Sequence, residues 1–136
     1  MQIVYKKLKN ARKYTLHEIS NKLVKENDII ACEKMVKNKQ MSKNILDANW
    51  NELIRQLKYK CEIKNKKLYQ IGTYYPSSQI CSHCDYKEER LKDLNIRFWT
   101  CKRCNNENDR DINASINIMF EGIKMYMKNV EELQAK

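Results

Sequence analysis

Cys81, Cys84, Cys101 and Cys104 stand in the order C-x2-C-x16-C-x2-C, and no other feature of this chain limits its fold so strongly. Two close pairs at that separation fit a zinc ribbon, in which two short knuckles each present two thiolates to one ion. The rival reading is two disulfides, which belong to oxidising compartments. The chain opens MQIVYKKLKN, basic after five residues and without the apolar stretch of a secretory signal. The expectation is therefore a cytoplasmic setting, reduced thiols and one structural Zn2+ on the four cysteines. The segment between the pairs is short and charged, so it is expected to build no core of its own. Metal would supply most of its folding free energy, on the order of 10 kcal/mol. His83 lies between two ligands, but four thiolates already fill a tetrahedral site, so it is expected to be exposed. Cys32 and Cys61 fall in apolar patterns and read as buried free thiols.

Directly after the second pair comes Asp109-Arg110-Asp111-Ile112-Asn113-Ala114. Asn108 is the expected N-cap of a final helix, with Asp111 in its first turn and Ile112, Ile116, Met119, Ile123, Met127 and Val130 as its apolar stripe. A carboxylate in a first turn needs no chemistry to explain it, because free backbone N–H groups favour it there. The earlier chain reads as a helix carrying Tyr5, Leu8, Arg12, Leu16, Ile19 and Leu23 on its inner face, with His17 outside that face. A short buried strand, Ile29 to Cys32, follows and ends at Glu33. A second helix is marked by Ile45, Leu46, Trp50, Leu53, Ile54, Leu57 and Cys61, capped by Ser42 or Asn44. A strand from Leu68 to Ile71 closes the run. Strand, helix, strand implies a βαβ unit with parallel strands. Glu33, like Asp111, has a plain alternative as a solvated strand end. Together the two gain meaning, because chemistry in parallel sheets collects at the carboxyl ends of strands, and paired carboxylates can hold Mg2+.

Charge divides the chain. Residues 1–76 hold 17 Lys and Arg against 7 Asp and Glu, while residues 77–136 hold 10 against 10. The whole excess of +10 thus precedes the cysteines, which implies a polyanionic partner bound by counterion release. The longest apolar runs, such as Ile29 to Cys32, are strand-sized and far short of the roughly 18 residues that span a bilayer, so no membrane partner is expected.

Four strings fix a resemblance: NDIIACEKM, ILDANWNELIRQLKYKCE, YYPSSQICSHC and CKRCNNENDRDINASINI. Over residues 15 to 120 or so, the chain resembles the C-terminal half of TnpB, the OrfB-type transposase of insertion sequences, related to type V CRISPR effectors. The resemblance implies an RNA-guided DNA endonuclease with a RuvC-like nuclease of RNase H fold and a zinc ribbon inserted before its last helix. It implies DNA and guide RNA as partners. Glu33 takes the place of the second RuvC carboxylate and Asp111 the third, with Cys81, Cys84, Cys101 and Cys104 as zinc ligands. The family's first carboxylate, an Asp in a Gly-Ile-Asp-like strand, has no counterpart before Glu33. Nor is there room for the early strands of an RNase H sheet. Asp85 stands where a knuckle glycine is usual, tolerable because Asp can visit the left-handed region.

The implied fold class is α/β: a partial RNase H-like, RuvC-type fold with one βαβ unit, flanking long helices and an inserted zinc ribbon. Its layout is a basic helix and βαβ part over 1–76, a zinc ribbon over 77–107 and a closing RuvC-like helix over 108–136. The leading expectation is a metal-dependent DNA-cleaving part that cuts nothing alone and works with an N-terminal half or by self-association. A non-catalytic zinc-ribbon module for nucleic acid, either a transposon remnant or a regulator, is the alternative. A zinc-stabilised protein-interaction domain is a third reading, and it predicts nucleic-acid affinity that hardly depends on salt.

Overall fold

The computed structural model describes residues 2–34 and 45–135. In order they form α1 (Gln2–Glu26), β1 (Ile29–Glu33), α2 (Ile45–Ile63), β2 (Lys67–Ile71), two short 3-10 turns (Ser77–Gln79 and Glu89–Lys92), β3 (Phe98–Thr100), β4 (Glu107–Asp109) and α3 (Arg110–Gln134). The architecture is mixed α/β. Ser42 and Asn44, the expected caps of α2, lie outside the described residues, as do the side chains of Tyr5, Ile45 and Leu46. β1 pairs with β2. The Lys67 N–H reaches the Asp28 carbonyl at 2.9 Å, and the Lys34 N–H reaches the Ile71 carbonyl at 3.0 Å. Starts meet starts and ends meet ends, so the strands are parallel, and α2 supplies the crossover that parallel strands need.

The chain divides into two compact units: Met1–Ile30 with Met35–Leu68, and Ala31–Lys34 with Tyr69–Lys136. In the first, α1 packs on α2 through Val24, Leu57 and Cys61, flanked by Leu23, Leu53, Ile54, Ile30 and Leu68. Cys61 is a buried thiol as expected, whereas Cys32 is only half-buried, and β1 is half-buried rather than buried. The inner face of α1 differs from the expected stripe. Leu8 and Ile19 are exposed, while Ser20 is fully buried and His17 half-buried. A polar network turns the helix this way. Lys60 Nζ donates to Ser20 Oγ at 2.7 Å and to the His17 carbonyl at 3.0 Å, and the Ser20 hydroxyl lies 2.9 Å from Gln56 Oε1. Buried polar groups must find partners, and a hydrophobic pattern cannot register a face lined by serine, glutamine and lysine.

The second unit is organised by α3. Its buried residues are Arg110, Asn113, Asn117 and Gly122, while Ile112 and Met127 of the expected stripe are 63% and 56% exposed. The buried face is again polar, for a reason visible in its bonds to the segment entering the first knuckle, described below. Gly122 faces β1 so closely that a Cβ there would lie 2.5 Å from the Cβ of Ala31. That approach demands glycine. β3 and β4 form an antiparallel hairpin with Trp99 opposite Asn108.

A cysteine cluster and an acidic cleft at the start of α3

The two knuckles repeat one hydrogen-bond scheme. In the first, the Asp85 N–H donates to the Cys81 carbonyl and the Cys81 N–H to the Tyr86 carbonyl, both at 2.9 Å. In the second, Asn105 donates to Cys101 and Cys101 to Asn106, again at 2.9 Å. Each turn closes on a left-handed residue, Asp85 at φ 59° and Asn105 at φ 56°. Asp and Asn are the side chains that enter this region most readily after glycine. Asp85 thus behaves as the sequence suggested, and Asn105 is its counterpart.

This geometry gathers the four sulfurs so that all lie within 4.8 Å of one another. Cys81 and Cys104 are 3.7 Å apart and Cys84 and Cys101 3.6 Å apart. These separations are far longer than the roughly 2.05 Å of a disulfide, and all six cysteines are unbridged. They match the edge of about 3.8 Å that follows from tetrahedral metal–sulfur bonds of about 2.3 Å. Cys81 and Cys101 are fully buried. Burial raises the Cys81 thiol. Burial also acts to raise Cys101, but the N–H groups of Cys104 and Arg103 and the adjacent Cys104 and Cys84 sulfurs outweigh it, leaving that thiol at about 7. At Cys84 the Tyr86 N–H favours the thiolate, yet burial and the neighbouring sulfurs drive it up to about 12. Four thiolates so close repel one another, and a cation at their centre relieves that repulsion. The cluster can hold a metal such as zinc. His83 is exposed and has no place in it.

The segment between the cysteine pairs does take part in a small core, contrary to expectation. Leu91 and Trp99 pack around Cys81 and Cys101, with Tyr86, Ile96 and Cys84 at the margin. Charge also enters this interior: Glu88 is 4% exposed and lies 3.3 Å from Arg90 and 3.6 Å from Lys102.

At the start of α3 the cap is Asp109, not Asn108. Asp109 Oδ1 accepts from the Asp111 and Ile112 N–H groups at 2.9 and 3.0 Å. Asn108 is buried in β4 instead, its amide donating to the Asn106 carbonyl at 3.0 Å. Because Asp109 does the capping, the Asp111 carboxylate is free of that duty. It is exposed, with the Arg97 guanidinium 3.2 Å away. Glu33 ends β1 and accepts a hydrogen bond from the Ser77 hydroxyl. Glu33, Ser77, Ser78, Arg97, Arg110 and Asp111 line one cleft of about 390 Å3. Two carboxylates 78 positions apart in sequence therefore share a cavity, together with two guanidinium groups.

A family model described as Cas12f1-like, TNB domain, matches residues 50–118, half of the chain. The chain belongs to this Cas12f1-like family. A Streptomyces pristinaespiralis protein named as an RNA-guided DNA endonuclease is 36% identical over 125 residues, 88% of this chain and 31% of that protein. The chain thus spans about a third of the length of the curated relative it matches. The fold is shared with Cas12f structures. A Cas12f1–sgRNA–target DNA complex aligns with a TM-score of 0.64 and 16% identity, over 86% of this chain and 36% of that one. A CRISPR–Cas12f ternary complex aligns at 0.59 and 18%, over 87% and 26%. The TnpB resemblance read from the sequence and these relatives agree on a TnpB/Cas12f-like protein.

Several residues lining the cleft had no sequence signal strong enough to find them. Ser77 and Ser78 read as turn residues after Pro76. Arg97 and Arg110 belong to no motif in the sequence, yet Arg110 is buried, donating to the Asp93 carbonyl at 2.7 Å. Asn113 and Asn117 did carry a clue, since an amide pair spaced i, i+4 within an apolar helix is unusual. Among the described residues, no helix is long and apolar enough to cross a membrane.

Proposed function

We propose that this chain forms the C-terminal part of a RuvC-like, RNase H-type nuclease that cuts DNA phosphodiesters under RNA guidance. Glu33 and Asp111 are its cation-ligating carboxylates. The observation that carries the reading is their shared cleft, reached from the end of a parallel strand and the first turn of α3. In this reading the layout is a basic part over 1–76, a zinc ribbon over 77–107 and a closing helix over 108–136. Cys81, Cys84, Cys101 and Cys104 hold a structural Zn2+. Mg2+ bound at the carboxylates would activate water and stabilise the leaving oxygen. The protein's own share is positional. Ser77 restrains Glu33, Asp109 frees Asp111 from capping, and the Arg97 and Arg110 guanidinium groups supply positive charge to a phosphate in the cleft.

The RNA-guided activity named for the relative, and the sgRNA and target DNA of the aligned complexes, motivate DNA and guide RNA as partners here. The basic first part is the surface for them, acting in the cytoplasm. The strongly basic α1, with α2, brings Lys9, Arg12, Lys13 and Arg55 around a second cleft of about 420 Å3 in which Glu52 is the one acid. The chain works with an N-terminal part, because among the described residues no third carboxylate joins Glu33 and Asp111 in the cleft. The test is Mg2+-dependent DNA cleavage. The chain alone should cut nothing. Cleavage should appear when the portion that precedes the matched region in the longer relative is supplied, and Glu33→Ala or Asp111→Ala should each abolish it. Cleavage by the chain alone, or by either variant, would overturn the proposal.

A second reading has its own support: the Arg97–Asp111 ion pair leaves Asp111 engaged without any cation. A non-catalytic module would bind nucleic acid with steep salt dependence, and it would do so equally well after Glu33→Ala and Asp111→Ala.

A further inference from the structure

α3 places two amide side chains, Asn113 and Asn117, one turn apart on its buried face, at 2% and 3% exposure. Their bonds run to the backbone of the segment that leads into the first knuckle. Asn113 Nδ2 donates to the Ile80 carbonyl at 2.6 Å, and its Oδ1 accepts from the Ser82 N–H at 2.9 Å. Asn117 Nδ2 donates to the Ile80 carbonyl at 2.7 Å and to the Ser77 carbonyl at 2.8 Å. Residues 77–82 are therefore gripped at three backbone positions. One end of this strap is Cys81, with its sulfur in the cluster. The other is Ser77, with its hydroxyl on Glu33. Asn113 itself follows Asp111 by two residues.

Apolar side chains would pack this face without any polar group to satisfy. Amides are costlier here unless every bond is made, since a buried carbonyl or N–H left unpaired loses its solvation without compensation. That asymmetry fixes the strap: any shift along α3 breaks several bonds at once. The same two side chains thus set the backbone of a metal-ready knuckle and the serine that restrains a cleft carboxylate.

We propose that Asn113 and Asn117 are positioning residues which, by gripping residues 77–82, hold Ser77 and through it Glu33 at the separation from Asp111 that a divalent cation requires. They tie that separation to the folding of the first cysteine knuckle. The inference rests on the reading of Glu33 and Asp111 as a cation-ligating pair, and it assigns to buried amides of α3 a role in that site.

The test uses the full chain with the N-terminal part supplied and Mn2+ as the probe, with its dissociation constant read by electron paramagnetic resonance. Co2+ at the cysteines reports on the knuckles through its thiolate absorption. Ser77→Ala and Asn117→Asp are compared singly and together. Each should weaken Mn2+ binding about tenfold, as loss of an outer partner of a ligand does, with the Co2+ absorption unchanged. The double variant should be no weaker than the weaker single, because Asn117 acts through Ser77. Effects that multiply, or an unchanged affinity in either single variant, would overturn the proposal. Should Asn117→Asp lose the Co2+ absorption, Ser77→Ala alone decides, because it removes one hydroxyl and leaves the clamp intact. Mn2+ binding that is absent, or that survives Glu33→Ala and Asp111→Ala, overturns the cation reading itself and this inference with it.

Discussion

The α1–α2 unit and the cysteine-bearing unit both bury polar side chains where an amphipathic pattern leads one to expect leucine, but they spend them differently. In the first, Lys60 is 9% exposed and its ammonium rests on a serine hydroxyl and a backbone carbonyl. These bonds join two helices. In the second, Asn113 and Asn117 bond to backbone that leads directly to Cys81 and to the restrained Glu33. A polar group that only joins helices should be replaceable by an apolar one of similar shape, whereas one that sets a site should not.

The largest expected effect lies at the cluster. Cys101→Ser removes one of two fully buried thiolates, and metal-driven folding is worth on the order of 10 kcal/mol. The variant should lose Co2+ thiolate absorption and the cooperative unfolding of the cysteine-bearing segment, with the helical circular dichroism of α1 and α2 largely kept. Next comes Gly122→Ala. Alanine is better than glycine inside a helix by about 1 kcal/mol, but a Cβ 2.5 Å from the rigid Cβ of Ala31 forces α3 away from β1, and overpacking of this kind costs about 1–3 kcal/mol. The clash should win. A lower urea midpoint for Gly122→Ala, with Ser115→Ala unchanged as the exposed control, is the expected result.

Lys60→Met probes the other side of the comparison. Replacing a buried charge by an apolar chain of equal length should leave stability unchanged or raise it by up to about 1 kcal/mol. Burial lowers the Lys60 ammonium below its ordinary 10.5, so the native chain sheds that proton before the unfolded chain does. Stability of the unmodified chain should therefore rise as pH climbs through the lowered value toward 10.5, a rise that Lys60→Met abolishes. The smallest effect is at Glu52, whose carboxyl is held at about 2, below the ordinary 4.5, by hydrogen bonds from Arg55 and Gln56. Its contribution is present above pH 4.5 and is lost as pH falls toward 2. Because the pair is partly solvated, Glu52→Gln should cost only about 0.5 kcal/mol at pH 7 and nothing at pH 2.

What was legible in the sequence follows from this difference. Cysteine spacing and the alternation of β1, α2 and β2 depend on local chemistry, and the cluster and the strand–helix–strand order were both readable. The buried faces of α1 and α3 were not. Ser20, Gln56, Lys60, Asn113 and Asn117 are buried only because partners distant in sequence satisfy them, and no window of residues contains both halves of such a bond. The cap was misplaced by one residue for a related reason: Asn108 and Asp109 are equally good caps in isolation, and the Asn108 side chain is committed to Asn106 instead. The pairing of Glu33 with Asp111 was reachable from the βαβ pattern and the first turn of α3, with the resemblance adding their roles, while Ser77, Arg97 and Arg110, which complete the cleft, required the structure.

One metal ion at the cysteines is expected to organise the second unit, and with it the acidic cleft, while the α1–α2 unit folds without it. Native mass spectrometry joined to hydrogen exchange tests this most directly. One Zn2+ per chain is expected. Its removal should collapse amide protection across residues 77–111, including the Ser82 N–H held by Asn113, and leave the protection of α2 in place. A chain that carries no zinc, or that keeps the same protection at residues 77–111 once zinc is gone, would contradict it.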